Sequence, residues 1–224
     1  MKTLGPKSGS KGFYPSNVAA PGDTSVEGLN RYAVTDGGGI WCCDLDIDLS
    51  DPVKLRTAMA LQVIMEGGAW SGIVPFIDLG LQPSPGPDGA PSFSTGVGFS
   101  TGVGFHAGAI AVNLAADAAL RATTLQLTPL AMADLMAAEH FSINHATLGK
   151  RMYRVARVNG NQVGIWPPLR EATLAMYGGY PMPLDFNTPG VVMRMTNAKD
   201  FIAALRSPSR GTAKAVFQEA FDRD

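Results

Sequence analysis

Residues 150–170 read KRMYRVARVNGNQVGIWPPLR. Met152, Tyr153, Val155 and Val158 supply a strand, Asn159-Gly160-Asn161 a turn, and QVGIW at 162–166 a second short strand. Asn-Gly between two such runs is the strongest short-range hairpin signal a sequence carries. Pro167 and Pro168 lack backbone donors, so they end the second strand and set the direction in which the chain leaves it. Composition leans the same way. With 26 Gly and 16 Pro in 224 residues, turns, bulges and long loops are favoured over a helical bundle. Charged residues are 17% and hydrophobic residues 46%, the balance of a chain that folds, and the length suits one ordinary domain with an extended arm.

Elsewhere the period-2 signal recurs. In IWCCDLDIDL (40–49), Leu45, Ile47 and Leu49 share one face and Asp44, Asp46 and Asp48 the other, which predicts a half-buried strand. SDPVKLRTAMALQVIMEGG follows with helix punctuation: Ser50 or Asp51 as cap, Pro52 in the first turn and Gly67-Gly68 at the exit. Leu55, Met59 and Val63, beside Ala60 and Ile64, are expected to form the stripe that this helix buries. GIVPFIDL (72–79) reads as a strand that Pro75 confines to an edge or bulge. AIAVNL, ALRATTLQL, HFSIN, VVMRM and AKAVFQEAF read as further strands, with a helix or loop at 199–206. Thr128 as cap and Pro129 in a first turn predict a short helix from TPLAMADLMAAEH. Residues 1–39 and 80–106 are rich in Gly, Pro and Ser, and the second stretch contains a tandem FSTGVG repeat, so they are expected to be an arm and a long loop.

Formal charge is −1, but residues 1–149 hold 7 Lys+Arg against 13 Asp+Glu, and residues 150–224 hold 11 against 6. Such asymmetry suits a molecule with oppositely charged surfaces meeting its own copies, and equally a solvated surface with chance placement. No basic stripe with interleaved aromatics is present, which argues against a nucleic-acid binder. Cys42 and Cys43 are adjacent and would point to opposite faces of a strand, so they are not expected to pair. No signal-peptide pattern or bilayer-length apolar run is visible, and a cytosolic origin is expected.

Chemical motifs are weak. GFSTG (98–102) matches G-x-S-x-G around Ser100, but a nucleophile elbow needs a strand entering and a helix leaving, and the match lies inside a Gly-rich repeat. Asp44, Asp46 and Asp48 could open a calcium loop, but Leu49 and Leu55 stand where an EF-hand needs Gly and Glu. A hydrated strand face is the simpler reading, and an acidic wall that lets DNA pass without sticking is the sharper one. His140, His145, Cys42 and Cys43 lack metal-ligand spacing. Gly96, Gly98 and Gly102 miss the dinucleotide-binding pattern by one residue. Trp41, Trp70 and Trp166, with Pro167 and Pro168, are candidate packing or interface residues rather than ligand platforms. No catalytic, cofactor-binding or metal-binding residue is assigned, and no cofactor is expected.

The order HFSINHATLGKRMYRVARVNGNQVGIWPPLREA, LDFNTPGVVMRM, AVFQEAF resembles the minor tail proteins of long-tailed (siphovirus-type) bacteriophages and related prophages, in particular those at the distal tail position. The resemblance covers roughly 118–221, with a weaker match at GGAWSGIVPFIDL and FSTGVGF, and departs at 129–138. It implies a mainly β (α+β), tail-tube-like antiparallel sandwich or barrel, with one flanking helix at about 51–66 and long loops. The organisation expected is an arm at 1–39 and a single β-rich domain over 40–224. The implied role is a non-enzymatic virion protein, assembled in the host cytoplasm. It would form a hexameric homo-oligomeric ring between the tail tube protein and the hub or baseplate, near the tape-measure protein. The ring would leave a DNA channel that Asp44, Asp46 and Asp48 could line, with no membrane or sequence-specific nucleic-acid partner. The rivals are a carbohydrate- or receptor-binding β-sandwich module and a small serine hydrolase built on Ser100.

Overall fold

A computed structural model describes residues 11–16, 20–24, 31–34, 38–76, 111–131, 135–206 and 211–221. In chain order its strands are β1 (Lys11–Ser16), β2 (Ala20–Thr24), β3 (Arg31–Val34), β4 (Ile40–Asp48), β5 (Ser71–Pro75), β6 (Ala111–Leu114), β7 (Thr124–Ala131) and β8 (His140–His145). They continue as β9 (Gly149–Asn159), β10 (Gln162–Trp166), β11 (Met176–Tyr177), β12 (Tyr180–Pro181), β13 (Pro183–Asp185), β14 (Gly190–Met195) and β15 (Thr212–Glu219). Helix α1 (Pro52–Ile64) follows β4, and α2 (Ala198–Arg206) follows β14. The chain is thus mainly β and antiparallel, with a flanking helix at the expected place and a second, shorter one.

Two compact units form, Met1–Pro75 with Val191–Asp224 and Phe76–Gly190, where the sequence suggested one domain from residue 40 onward. The division also dissolves the charge asymmetry. By sequence, the first unit holds twelve Lys+Arg against twelve Asp+Glu and the second six against seven. Acidic and basic stretches far apart in the chain are brought into one sheet, so neither unit is strongly charged.

The first unit is a five-stranded sheet in the order β1-β4-β15-β14-β5. β1 and a separate β2–β3 pair show that parts of the expected arm are strands. In the ladder Ala213 lies opposite Ile47, Ala215 opposite Leu45 and Phe217 opposite Cys43, so one face carries Trp41, Cys43, Ile47, Ala213, Ala215 and Phe217, all buried. α1 packs against β4 and α2, and α2 against β15. Asp51 caps α1 by accepting from the Val53 N–H at 2.8 Å, and Pro52 occupies the first turn as the sequence predicts.

The buried stripe of α1 differs from the expected one. Ala58 and Leu61, with Met65 just beyond the helix, face inward, whereas Met59, Val63 and Ile64 are exposed. The helix is apolar nearly all round, so its periodicity could not say which side meets the sheet. Pro75 ends the edge strand β5, as its missing donor requires.

The second unit is a closed six-stranded barrel in the order β10-β7-β6-β13-β8-β9. Its interior is filled by side chains including Leu127, Phe141, Ile143, Val155, Val163, Leu169, Leu184 and Phe186. Phe141 stacks on Phe186 at 5.0 Å. The β9–β10 hairpin pairs Asn159 with Gln162, leaving Gly160-Asn161 as a two-residue turn with Gly160 at φ 58°.

The helix expected after Thr128 is instead the end of β7. Leu125 and Leu127 turn inward, while Thr124, Gln126 and Thr128 do not, and the ladder runs on through Thr128 opposite Asn113. Pro129 falls opposite Val112, where the register shifts, and a bulge tolerates the lost donor. A Thr-Pro pair marks a helix start only when the backbone before it is free, and here it is already paired.

Candidate functional site

Asp44, Asp46 and Asp48 do share one half-exposed face of β4, but that face is not a row of unpaired carboxylates. β15 places Lys214 opposite Asp46, and its ammonium reaches Asp44 Oδ2 at 2.7 Å. Tyr14 of β1 donates to Asp44 Oδ1 at 3.4 Å. Asp48 accepts from the Ser50 N–H at 2.9 Å and hydroxyl at 2.7 Å, bonds that hold its carboxyl below the usual range. Hydrogen bonding to Asp44 raises the Lys214 pKa.

The three tryptophans divide between the two units, Trp41 and Trp70 in the first and Trp166 in the second. Trp41 is fully buried in the first unit, and its backbone N–H donates to Glu219 Oε2 at 3.2 Å. Trp70, 48% exposed, precedes β5. Trp166 is half-buried at the end of β10, followed by buried Pro167 and half-buried Pro168. Cys42 and Cys43 are buried free thiols, and burial pushes Cys42 up. Ser100 and the FSTGVG repeat lie outside the described residues. Among the described residues there is no cluster of three or more His, Cys, Asp or Glu able to hold a metal, and no helix long and apolar enough to cross a membrane.

The most organised polar group is one the sequence did not reveal. After Pro167 and Pro168 the chain inserts Leu169 into the barrel core and runs along the β8–β9 turn. There the Arg170 N–H donates to the Tyr153 hydroxyl at 3.1 Å, and Tyr153 Oη lies 2.7 Å from His145 Nε2. His145 Nδ1 lies 3.2 Å from Thr173 Oγ1, which donates to the Glu171 carbonyl at 3.1 Å. The Glu171 carboxylate accepts from the N–H groups of Thr147 and Leu148 at 3.1 and 2.9 Å. These bonds outweigh burial and hold Glu171 below the usual carboxylate range. Burial holds His145 down to about 4; the Glu171 charge opposes the shift and the Arg151 charge adds to it.

His145 and Tyr153 looked like separate strand residues because the partners that join them, Arg170 and Thr173, are at least 17 positions further along. The clue available was the prolines, which had to send the chain somewhere. Lys150 and Asp185 form a second fastening at 2.6 Å, with Lys150 also donating to the Thr188 carbonyl at 2.8 Å. Each of these groups is held by hydrogen bonds to segments distant in sequence.

The fold and its polar groups define a two-unit, mainly antiparallel β protein with a side-chain-filled barrel. No protein-family model matches the sequence, and no curated protein matches it.

Proposed function

We propose that this chain is a structural virion protein that forms a homomeric ring at the distal end of a phage tail, between the tail tube and the hub or baseplate. The observation that carries the reading is the outer side of α1. Val63 and Ile64 are 73% and 62% exposed, with Val53, Met59 and the nearby Trp70 and Ile73 exposed too. A helix apolar on both sides is normally buried on both, so the second side calls for a partner surface. The five-stranded sheet supports the same reading by ending in two different strands, β1 and β5. Ring closure needs two unlike, complementary surfaces on each copy. In such a ring Asp44, Asp46 and Asp48 are candidates for the channel wall, with Lys214 reducing their field.

The test is the oligomeric state of the purified full chain. Native mass spectrometry and negative-stain microscopy are expected to give a closed ring, six copies by the resemblance. A monomer at tens of micromolar, absent from virions, overturns the reading. A second reading, a glycan- or receptor-binding module, draws on the β11–β12 ribbon, where Tyr177 and Tyr180 face each other across Gly178-Gly179 and are 64% and 78% exposed. Glycan binding by a stable monomer, lost in Tyr177→Ala and Tyr180→Ala, would favour it.

A further inference from the structure

We propose that His145, Tyr153 and Thr173 form a proton-operated clasp that holds residues 170–173 against the β8–β9 turn, opening when His145 takes up a second proton. The clasp would operate in a single chain, whether or not copies assemble.

The chain of contacts has a direction set by its two backbone ends. Arg170 N–H can only donate and Glu171 C=O can only accept. Thr173 gives its one proton to the Glu171 carbonyl, so its oxygen receives a proton from His145 Nδ1. A neutral ring protonated at Nδ1 has a bare Nε2, which accepts the Tyr153 hydroxyl proton at 2.7 Å. Every contact then runs the same way, and the tautomer is fixed.

A proton added at Nε2 reverses the shortest of these bonds. Tyr153 can no longer donate to the ring, and a cation stands in a buried site. The charged groups that bear on the ring are Arg151 of β9, which disfavours the cation, and Glu171 of the 170–173 segment, which favours it. Glu171 is itself committed to the N–H groups of Thr147 and Leu148. Relief comes when the segment lifts and water reaches the imidazole.

What the clasp positions is the exposed ribbon. Thr173 and Ala118 exchange backbone hydrogen bonds at 2.8 and 2.9 Å, Ala175 N–H donates to Asp117 Oδ1 at 2.7 Å, and Met182 N–H closes on the Ala175 carbonyl at 2.8 Å. Residues 170–175 therefore carry the β11–β12 ribbon, with exposed Met176, Tyr177 and Tyr180, and acid would free its base while the barrel core stays closed.

The experiment is amide hydrogen exchange across pH on the full chain, with wild type and His145→Gln. In wild type the protection factor at Arg170 is expected to fall by close to tenfold per pH unit at its steepest, between about pH 6 and 5. Val163, in the barrel core, should stay more strongly protected than Arg170 at every pH, and His145→Gln should lose the pH slope at Arg170 whatever its overall stability. Equal slopes in both proteins overturn the proposal. If His145→Gln does not fold, imidazole nitrogen shifts of wild type decide: a proton on Nδ1 at neutral pH supports the clasp, and one on Nε2 overturns it.

Discussion

Replacing Gly68 by alanine tests how the first unit is packed, because Gly67 beside it is a built-in control. Both glycines have positive φ, 66° at Gly67 and 94° at Gly68, so an alanine at either strains the backbone by about 1 kcal/mol. Their surroundings differ. A Cβ on Gly67 meets nothing within 4 Å, whereas one on Gly68 would lie 2.8 Å from the Met195 carbonyl oxygen and 3.2 Å from Ala198 Cβ. Neither neighbour can swing away, since one is backbone at the end of β14 and the other begins α2. The turn after α1 would have to retreat by several tenths of an ångström, at roughly 1–3 kcal/mol for overpacking. Gly67→Ala is therefore expected to cost at most about 1 kcal/mol, and Gly68→Ala about 2–4 kcal/mol. Urea unfolding monitored by Trp41 fluorescence, in a Trp70→Phe, Trp166→Phe background, reads both. Equal midpoints for the two variants would refute the close approach of this turn to Met195 and Ala198.

Leu169→Ala empties a buried site in the barrel core and should cost about 2–5 kcal/mol; a change under 1 kcal/mol would mean the segment after the prolines is not part of that core. Ile64→Glu, on the exposed side of α1, should leave the circular dichroism and melting temperature of the monomer unchanged while shifting native mass from ring to monomer. Rings that persist would remove α1 from the interface. The pH dependence of barrel stability follows from His145, whose folded pKa of about 4 lies below the ordinary 6.5. Below 6.5 the unfolded chain takes up the proton first, so stability is complete above that value and falls as pH drops towards 4, by on the order of 3 kcal/mol. Denaturation midpoints at pH 7.5 and 4.5 that differ no more in wild type than in His145→Gln would contradict this.

Local signals carried far where backbone geometry is local. The Asn159–Asn161 turn, the Asp51 cap with Pro52, and the edge position of Pro75 were legible because each depends on a few neighbouring residues and on fixed properties of Gly, Pro and Asp. The alternation of Asp44, Asp46 and Asp48 with Leu45, Ile47 and Leu49 was readable for the same reason. Where two local rules competed, tertiary pairing chose between them, as at Thr128-Pro129, where an established ladder with β6 overrode a helix start.

By itself the sequence determined a mainly β, antiparallel chain, the place of its first helix and the path out of its central hairpin, since side-chain alternation and restricted backbone angles act over a few residues. Only the tertiary structure decided that the strands divide into a five-stranded sheet and a closed barrel, which side of α1 is buried, and that Lys214 answers Asp44. It alone joined His145 and Tyr153 to Arg170 and Thr173. Those outcomes depend on which distant segments meet, and that choice follows from the summed burial and hydrogen bonding of the whole chain, which no short window contains.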